Sequence, residues 1–474
     1  MIILKYKKIT DEYYKIREKL LRKYDCRILI DELSIIYSKL ERIHLSNDKL
    51  LENVTNYNEI IQDVSYTAKV TDIMSRKIKT LIEITIKRDN NKEDKILPNF
   101  IYKKFIILFY YYSIYIFYTS RSKLSKNYEN GKTKLGINPN LINSILTYIP
   151  NINNFSEDEF IPRYNYNPHK ILQINDEFDK TFLYERGITY SNFQKMLEYM
   201  RNNLSSKKMI NEIIKKEKFI QKITERYNIN LELFKKSCIL SKNNIVDENN
   251  IYKNNSKYRL DLSPIVDIGE DFYFLNSGII FNSENYWNNV CTIGLKPYTS
   301  NSKDKILDEV DKIINNTSKI FEKDIIKRLM EVNNKFDIKR NVKARTIFKD
   351  KKLDDNEWDV IAIDHNRKII FDIEAKFMTT SMTESGLSND LEKIVSNDAR
   401  SYTNKFEKRI KIEKERLNDF LIFCNADNNY KIVHIMVTSK SVDLNVESDK
   451  RNFIITNYGN LKKYIINNYY EKSQ

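Results

Sequence analysis

The chain has 474 residues, enough for two or three domains of ordinary size, and 41% of them are hydrophobic, so a packed core is possible. It contains 8 glycines and 7 prolines, a scarcity that disfavours β-sandwiches or barrels with many tight turns and favours long helices. The net charge of +15 suits a partner made of phosphates, such as nucleic acid, and would equally suit an anionic membrane surface.

The first part of the chain has a helical pattern. Between residues 11 and 122, apolar side chains recur at spacings of three and four, and charged residues fill the positions between them. One stretch, residues 105–119 (FIILFYYYSIYIFYT), resembles a membrane segment but is shorter than the roughly 20 residues needed to span a bilayer. We interpret it as a buried core helix and expect no membrane association; an interfacial or short spanning helix is the alternative.

The middle of the chain changes from helical to strand-like patterning. Residues 218–241 read as two helices joined at 227–230, a pattern that either a DNA-binding helix-turn-helix or a plain pair of packed helices would give. Further on, LSPIVDIG, DFYFLNSGIIF and TIGLKPY are strand-like and are separated by Gly, Pro, Asn and Ser. We therefore predict a mainly helical region (1–255) that selects a target or senses a signal, a β-rich connector (256–302) and a C-terminal domain (303–474).

Cysteines and histidines are few and scattered. The four cysteines show neither zinc-ligand spacing nor a disulfide framework, which is typical of a protein of the reducing cytoplasm. The four histidines are equally dispersed, which argues against a histidine-rich metal site and against histidine-based nuclease chemistry. The first 14 residues contain no apolar run of signal-peptide length, so a cytoplasmic location is expected.

The C-terminal region has the pattern of an α/β domain within a chain that is α+β overall. It opens with a helical segment at 304–334 and a short strand-like stretch, and continues with the hairpin 356–377. A helix at about 387–416 and two strands at 420–424 (FLIFC) and 430–440 (YKIVHIMVTSK) follow.

The hairpin, NEWDVIAIDHNRKIIFDIEAKF, is the most informative segment of the chain. Its strands are predicted at 357–363 and 368–377, and side chains alternate clearly along the second strand. A register that pairs Asp359 with Asp372 or Glu374 places Asp359, Glu374 and Lys376 on one face. A one-residue slip would send Asp359 to the opposite face, so the site hypothesis depends on this register.

Two carboxylates and one lysine on one face can carry phosphodiester chemistry. Hard cations such as Mg²⁺ prefer oxygen ligands, which Asp359, Glu374 and the backbone carbonyl of Ala375 offer. Such an ion lowers the pKa of a bound water and offsets charge on a scissile phosphate. Lys376 could orient or deprotonate the attacking water, or stabilise the transition state as a point charge.

The pattern of Asp359, fourteen intervening residues and then Glu374-Ala375-Lys376 resembles the PD-(D/E)XK nuclease superfamily, which includes restriction endonucleases and phage-defence effectors. The resemblance covers about residues 303–446. It implies a restriction-endonuclease-like core with the order αβββαβ, and the predicted elements follow that order.

The resemblance also implies further site residues. Glu322, on the first helix, matches a glutamate that many members place at the metal. Arg400 and Tyr402 are the nearest candidates for side chains that face the substrate phosphate. The sequence departs from the family pattern at Trp358, where proline is usual, and at Asp398, where one branch has the glutamine of its Gln-x-x-x-Tyr pattern.

The resemblance implies a Mg²⁺- or Mn²⁺-dependent endonuclease that acts on DNA. A nuclease domain that follows a long unrelated N-terminal half is a common layout in bacterial restriction or anti-phage defence, so by analogy we expect that role. A homodimer is compatible with cutting both strands. One alternative is an RNase that acts as an abortive-infection toxin, and another is a catalytically inactive nucleic-acid-binding protein on the same fold. A further alternative is a solvated hairpin face with an ion pair between Glu374 and Lys376 or Lys368.

Overall fold

The computed structural model describes residues 2–45, 64–88, 101, 103–109, 111–113, 176–245, 259–297, 304–350, 353, 356–378, 394, 401–439 and 452–470. Contacts divide the chain into two units. Unit 1 comprises Met1–Thr119 and Tyr164–Ile313, and unit 2 comprises Ser120–Arg163 and Ile314–Gln474. The fold class is α+β, as predicted, with a mostly helical N-terminal part followed by two mixed sheets interleaved with helices.

The described part of unit 1 opens with helices α1 (Ile2–Lys23), α2 (Cys26–Leu45) and α3 (Val64–Arg88). Along α2, Leu29, Leu33, Ile36 and Leu40 are buried, and this spacing of three and four residues places them on one face. That face packs into one apolar cluster with buried residues of α1, of α3 and of the stretch 105–119, which we call the aromatic segment.

The described part of the aromatic segment is a buried helix, as predicted. Residues 103–109 and 111–113 are helical, and Phe105, Phe109 and Tyr112 are buried. Their rings stack on Tyr13 at centroid distances of 6.0, 5.6 and 4.3 Å, respectively. The remaining residues of the segment lie outside the described residues. Within the described ranges, no helix is long and apolar enough to cross a membrane.

The described part of unit 1 continues with further helices and the strands of a sheet: α4 (Asp176–Arg186), α5 (Tyr190–Ser206), β1 (Asn211–Lys215), α6 (Lys216–Thr224), α7 (Leu231–Cys238), β2 (Ile239–Leu240), β3 (Ile265–Asp267), β4 (Phe272–Asn276) and α8 (Ser277–Ile293). The described strands pair in the order β1-β4-β3-β2, in which β2 and β3 run parallel and the other pairs antiparallel. The predicted pair of helices is present as α6 and α7. Helix α6 packs against β1 and β4, whereas α7 packs against α4.

The segment predicted as a β-rich connector contains two strands and a long helix. Strands β3 and β4 pair into the same sheet as β1 and β2. The prediction of strands at residues 278–281 and 292–293 was wrong, because both belong to α8. The side chain of Asn276 accepts a hydrogen bond from the N–H of Ile279 at 2.8 Å, which ends β4 and caps the new helix. A short apolar run such as GIIF fits a buried helix as well as a strand.

The described elements of the C-terminal part are α9 (Lys305–Val332), β5 (Asp337–Lys343), α10 (Ala344–Phe348), β6 (Glu357–Asp364), β7 (Ile369–Lys376), α11 (Tyr402–Glu415), α12 (Leu417–Phe423), β8 (Lys431–Thr438), β9 (Ile454–Asn457), α13 (Leu461–Ile465) and a π-helical turn (Ile466–Tyr470). The division between the units falls within α9. The predicted first helix, strand and hairpin are confirmed. The elements α9, β5, β6, β7, α11 and β8 occur in the expected αβββαβ order, with the short helices α10 and α12 inserted.

The sheet of unit 2 has the order β5-β6-β7-β8-β9 among the described strands. The β5–β6 and β6–β7 pairs are antiparallel, and the β7–β8 and β8–β9 pairs are parallel. Side chains of α9, such as Phe321 and Ile325, cover one face through Phe371 and Ile373. Side chains of α10 and α12 pack against the other face, on which Ile370 lies. Further along β7, this second face changes from apolar to charged.

The strand predicted at residues 420–424 is wrong, because these residues belong to α12 and its C-cap. Phe420, Leu421 and Cys424 are buried, whereas Ile422 is 72% exposed. Burial at positions i, i+1 and i+4 follows the helical period and not the alternation of a strand. Five apolar residues in a row do not distinguish the two by periodicity, which explains the error.

Candidate active site

The register of the β6–β7 hairpin is the one that the site hypothesis requires. Val360 pairs with Ile373 and Ile361 pairs with Asp372, and one further step in this register would set Asp359 opposite Glu374. Residues directly opposite in an antiparallel pair share a face, and so do residues two apart in one strand.

The regular alternation of β6 is interrupted at Asp359. Asn341, the residue opposite it on β5, has a left-handed backbone with φ of +49°. Trp358 and Ile361 contribute to the same apolar cluster, although three positions along a regular strand would place them on opposite faces. At this irregular point, Oδ2 of Asp359 accepts a hydrogen bond from the N–H of Ala375 at 2.7 Å. The carboxylate of Asp359 is therefore held against the backbone of β7.

Asp359, Glu374 and Lys376 form one group of ionic contacts. Nζ of Lys376 lies 3.9 Å from Oδ2 of Asp359 and is in direct contact with Oε1 of Glu374. The side chains of the three residues are 18%, 9% and 23% exposed, respectively. The structure thus brings together the three central residues of the predicted site, at a place that solvent partly reaches.

Arg409 of α11 is a second cation at Glu374. Its side chain is 4% exposed, and its Nη1 is in direct contact with Oε2 of Glu374. Nη2 donates a hydrogen bond to Oδ1 of Asp372 at 2.8 Å, and Nη1 donates to the carbonyl of Glu357 at 2.8 Å. The guanidinium therefore joins α11 to the start of β6 and to two carboxylates of β7 through charge-assisted hydrogen bonds.

The pKa values of Asp359 and Glu374 are shifted in opposite directions. Burial and the adjacent charge of Glu374 raise the pKa of Asp359 to about 7, in spite of the opposing effect of Lys376 and Arg409. Burial would also raise the pKa of Glu374, but Arg409 and Lys376 outweigh it, so that this pKa is lowered. Glu374 therefore keeps its charge, whereas burial and the charge of Glu374 favour the protonated form of Asp359.

Lys376 keeps its proton in this environment. Burial would lower the pKa of its ammonium group, but the carboxylates of Glu374 and Asp359 outweigh burial and raise it. Tyr402, the first residue of α11, lies beside it, with the ring centroid 5.6 Å from Nζ. Tyr402 therefore lies beside Lys376, whereas Arg400 lies outside the described residues.

Glu322 lies on α9 and is half-buried. Burial raises the pKa of its carboxyl group, and a hydrogen bond with Asn341 and the charge of Lys376 partly offset that rise. Asn341 lies on β5, at the position across from Asp359. Glu322 therefore contacts the irregular part of the β5–β6 pair. The structure places Glu322 at the border of the group.

The carbonyl of Ala375 is directed towards β6. In a strand, the N–H and the C=O of one residue point to the same side, and the N–H of Ala375 donates to Asp359. The backbone oxygen that the sequence analysis proposed as a metal ligand is therefore on the side of the Asp359 carboxylate.

A second polar group, which we call the buried triad, consists of Asp372, Glu413 and His434. Among the residues that the structure describes, these three are buried and have ligand atoms within 4.8 Å of one another. Nε2 of His434 lies 2.8 Å from Oε1 of Glu413 and 4.0 Å from Oδ2 of Asp372. Asp372 and His434 are paired across β7 and β8, and Glu413 comes from α11. Burial raises the pKa of Asp372 to about 6, although Arg409 opposes the rise.

Sequence reasoning missed Arg409, Glu413 and His434. A signal for the first two was present, because Phe406 and Ile410 mark the apolar face of α11 at a spacing of four. Arg409 and Glu413 follow these residues by three positions each and so lie on the same face, where charged side chains need partners. His434 stands within an apolar strand, and no spacing connects it to the other two.

Comparison of the chain with protein-family models, with curated proteins and with solved structures gave no match.

Proposed function

We propose that unit 2 is a metal-dependent nuclease, with Asp359, Glu374 and Lys376 at its centre, and that its substrate is DNA. The observation that carries this proposal is the hairpin register, which aligns two carboxylates and a lysine at the end of a buried strand. The order of the surrounding helices and strands supports it, since it is the order that the resemblance to PD-(D/E)XK nucleases implies.

A divalent cation such as Mg²⁺ or Mn²⁺ fits the pair Asp359 and Glu374. Their carboxylates and the carbonyl of Ala375 are the oxygen ligands that hard cations prefer. When bound, the ion would supply a water of lowered pKa and offset negative charge on the phosphate.

The residues of the chain have separable roles in this proposal. Lys376, in contact with Glu374, would serve as a hydrogen-bond donor and point charge at the phosphate or would orient the attacking water. Arg409 is a positioning residue, because it holds Glu374 and Asp372 while its own side chain is buried. Glu322 supports the site from α9, and Tyr402 borders Lys376.

The wider biological role is inferred from the layout of the chain. The net charge of +15 supports a polyanionic substrate. Unit 1 would then select the target or sense a signal for a restriction or anti-phage defence nuclease, by analogy with proteins of similar organisation. RNA is the alternative substrate, and a homodimer would suit cleavage of both strands of a duplex.

The decisive experiment measures cleavage of supercoiled plasmid DNA and of RNA by the purified full-length protein, with Mg²⁺, Mn²⁺ or EDTA. We expect metal-dependent nicking or linearisation that falls at least 100-fold in both Asp359→Asn and Lys376→Met. The asparagine amide would keep an oxygen for the Ala375 N–H, so the first change tests charge with little change in shape. Asp427→Asn serves as a matched control, since its side chain is 58% exposed and lies at a distant turn.

Each result of this experiment has a distinct meaning. Cleavage of DNA that EDTA and both variants abolish supports the proposal. Cleavage of RNA with DNA intact keeps the nuclease and replaces its substrate. Activity that persists in both variants, with circular dichroism unchanged, removes the hairpin as the catalytic centre.

A further inference from the structure

The buried triad has the composition of a metal site that is separate from the proposed nuclease centre. We propose that Asp372, Glu413 and His434 bind a divalent first-row transition metal ion such as Zn²⁺. This inference goes beyond the proposed nuclease function and does not depend on it.

The first support is an unsatisfied oxygen inside the triad. Asp372 is fully buried, and its Oδ2 has no hydrogen-bond partner among the described residues. That oxygen lies 4.0 Å from Nε2 of His434. A buried carboxylate oxygen without a partner is costly, so its position beside two further ligand atoms points to a bound cation.

The second support is the balance of charge. Of the two triad carboxylates, Asp372 shares Arg409 with Glu374. Glu413 has its ionic contact with His434, which is charged only when protonated. A divalent ion at the triad would therefore add positive charge beside two buried carboxylates.

The three ligand atoms lie close enough for one ion to bind them after small side-chain movements. They are all within 4.8 Å of one another, and Nε2 of His434 lies 2.8 Å from Oε1 of Glu413 and 4.0 Å from Oδ2 of Asp372. Zinc binds histidine nitrogen and carboxylate oxygen at about 2.0–2.2 Å, so the ligands of a tetrahedral ion are about 3.3–3.6 Å apart. Binding would replace the His434–Glu413 hydrogen bond, and the proton between Nε2 and Oε1 would leave to solvent.

The mixed ligand set selects the class of metal. Imidazole suits zinc, copper, iron and nickel, whereas Mg²⁺ demands octahedral oxygen ligands and retains several waters. Neighbouring donors hold the outer oxygens of the two carboxylates. Nε1 of Trp358 donates to Oε2 of Glu413 at 3.4 Å, and Nη2 of Arg409 donates to Oδ1 of Asp372 at 2.8 Å. Such outer contacts orient metal ligands in known sites.

An ion at the triad would join three elements of unit 2. Asp372 belongs to β7, His434 to β8 and Glu413 to α11. Helix α11 also carries Arg409, which contacts Glu374 of the hairpin. The role of this ion is therefore structural: it fixes α11 on the sheet and thereby the position of Arg409.

The test measures zinc retained by the full-length protein. The protein is stripped with a chelator, reloaded with Zn²⁺, desalted and assayed by elemental analysis. We expect one tightly held zinc ion per chain in the wild type, and its loss in His434→Gln and in Glu413→Gln. Zinc should also raise the Tm of the wild type but not of these variants. Two controls should keep the ion: His365→Gln, whose side chain is 42% exposed, and Asp359→Asn of the nuclease centre.

The outcomes decide between the triad and other sites. Zinc retained in both triad variants overturns the proposal, and so does a wild type that keeps no zinc after reloading. Loss in Asp359→Asn with retention in His434→Gln assigns the ion to the nuclease centre and also overturns it. Zinc-edge X-ray absorption of the wild type needs no variant to fold: a first shell without imidazole would contradict the triad.

Discussion

At the scale of single residues, Arg409 is the link between α11 and the candidate active site. Its guanidinium contacts Glu374 and Asp372 while its side chain is 4% exposed. Removal of one partner from a buried ionic group leaves charges without compensation, which costs far more than the loss of a surface pair.

The substitution Arg409→Met tests this role. We expect it to lower the free energy of unfolding of unit 2 by roughly 3–5 kcal/mol, because Asp372 loses its cation and Glu374 loses one of its two. Arg416→Met is the matched control: Arg416 pairs with Asp350 at 2.7 Å, but its side chain is 38% exposed, so a loss of about 1 kcal/mol or less is expected. Denaturant unfolding measures both, and equal losses would show that Arg409 has no special place in the fold.

A second buried ionisable residue, Glu83 of α3, makes the stability of unit 1 depend on pH. Glu83 is 4% exposed, and burial raises the pKa of its carboxyl group from 4.5 to about 7, although Arg259 and the N–H of Leu260 partly stabilise the charge. Between these two pKa values the folded state keeps a proton that the unfolded state has released. Stability is therefore lost as the pH rises from about 4.5 to 7.

We expect Glu83→Gln to remove this dependence. At pH 8 the variant should be more stable than the wild type by an amount on the order of 3 kcal/mol, and near pH 5 the gain should be much smaller. Thermal unfolding at both pH values measures the difference, with the exposed residue Glu12→Gln as control. A gain of equal size at both pH values would show that Glu83 does not titrate as proposed.

At the scale of elements, the sequence predicts well where one short segment contains all the information. The alternation along β7 and the polar turn before it suffice to place Glu374 and Lys376 on one face. The structure adds the register and the irregularity at Asn341, which hold Asp359 against the N–H of Ala375.

Elements were mispredicted where a short apolar run has no period of its own. The run at 420–424 became α12, and the residues after Asn276 became α8, because packing and capping decided between helix and strand. The rest of the candidate site escaped prediction for a related reason. Arg409 and His434 lie on elements far from the hairpin in sequence, and tertiary packing alone brings them to it.

At the scale of the whole molecule, the excess of positive charge is the property that bears on the substrate. The chain has 80 Lys and Arg residues against 65 Asp and Glu residues. The buried ionic groups of unit 2 use some of these cations within the fold, as Arg409 shows. Those that remain at the surface are available to phosphates, whose binding releases counterions and so weakens as salt increases.

The binding of a DNA duplex by Asp359→Asn, in which cleavage is expected to be abolished, tests whether this charge is used. If two or more phosphates are neutralised, the Kd should rise at least about tenfold between 50 and 200 mM salt. Fluorescence anisotropy with a labelled duplex measures the Kd at each salt concentration, and a single-stranded RNA of equal length provides the comparison. A Kd that does not change with salt would mean that the protein does not hold DNA through its phosphates. A steeper change with RNA would instead favour the RNase, because the surface charge would then be arranged for that polymer.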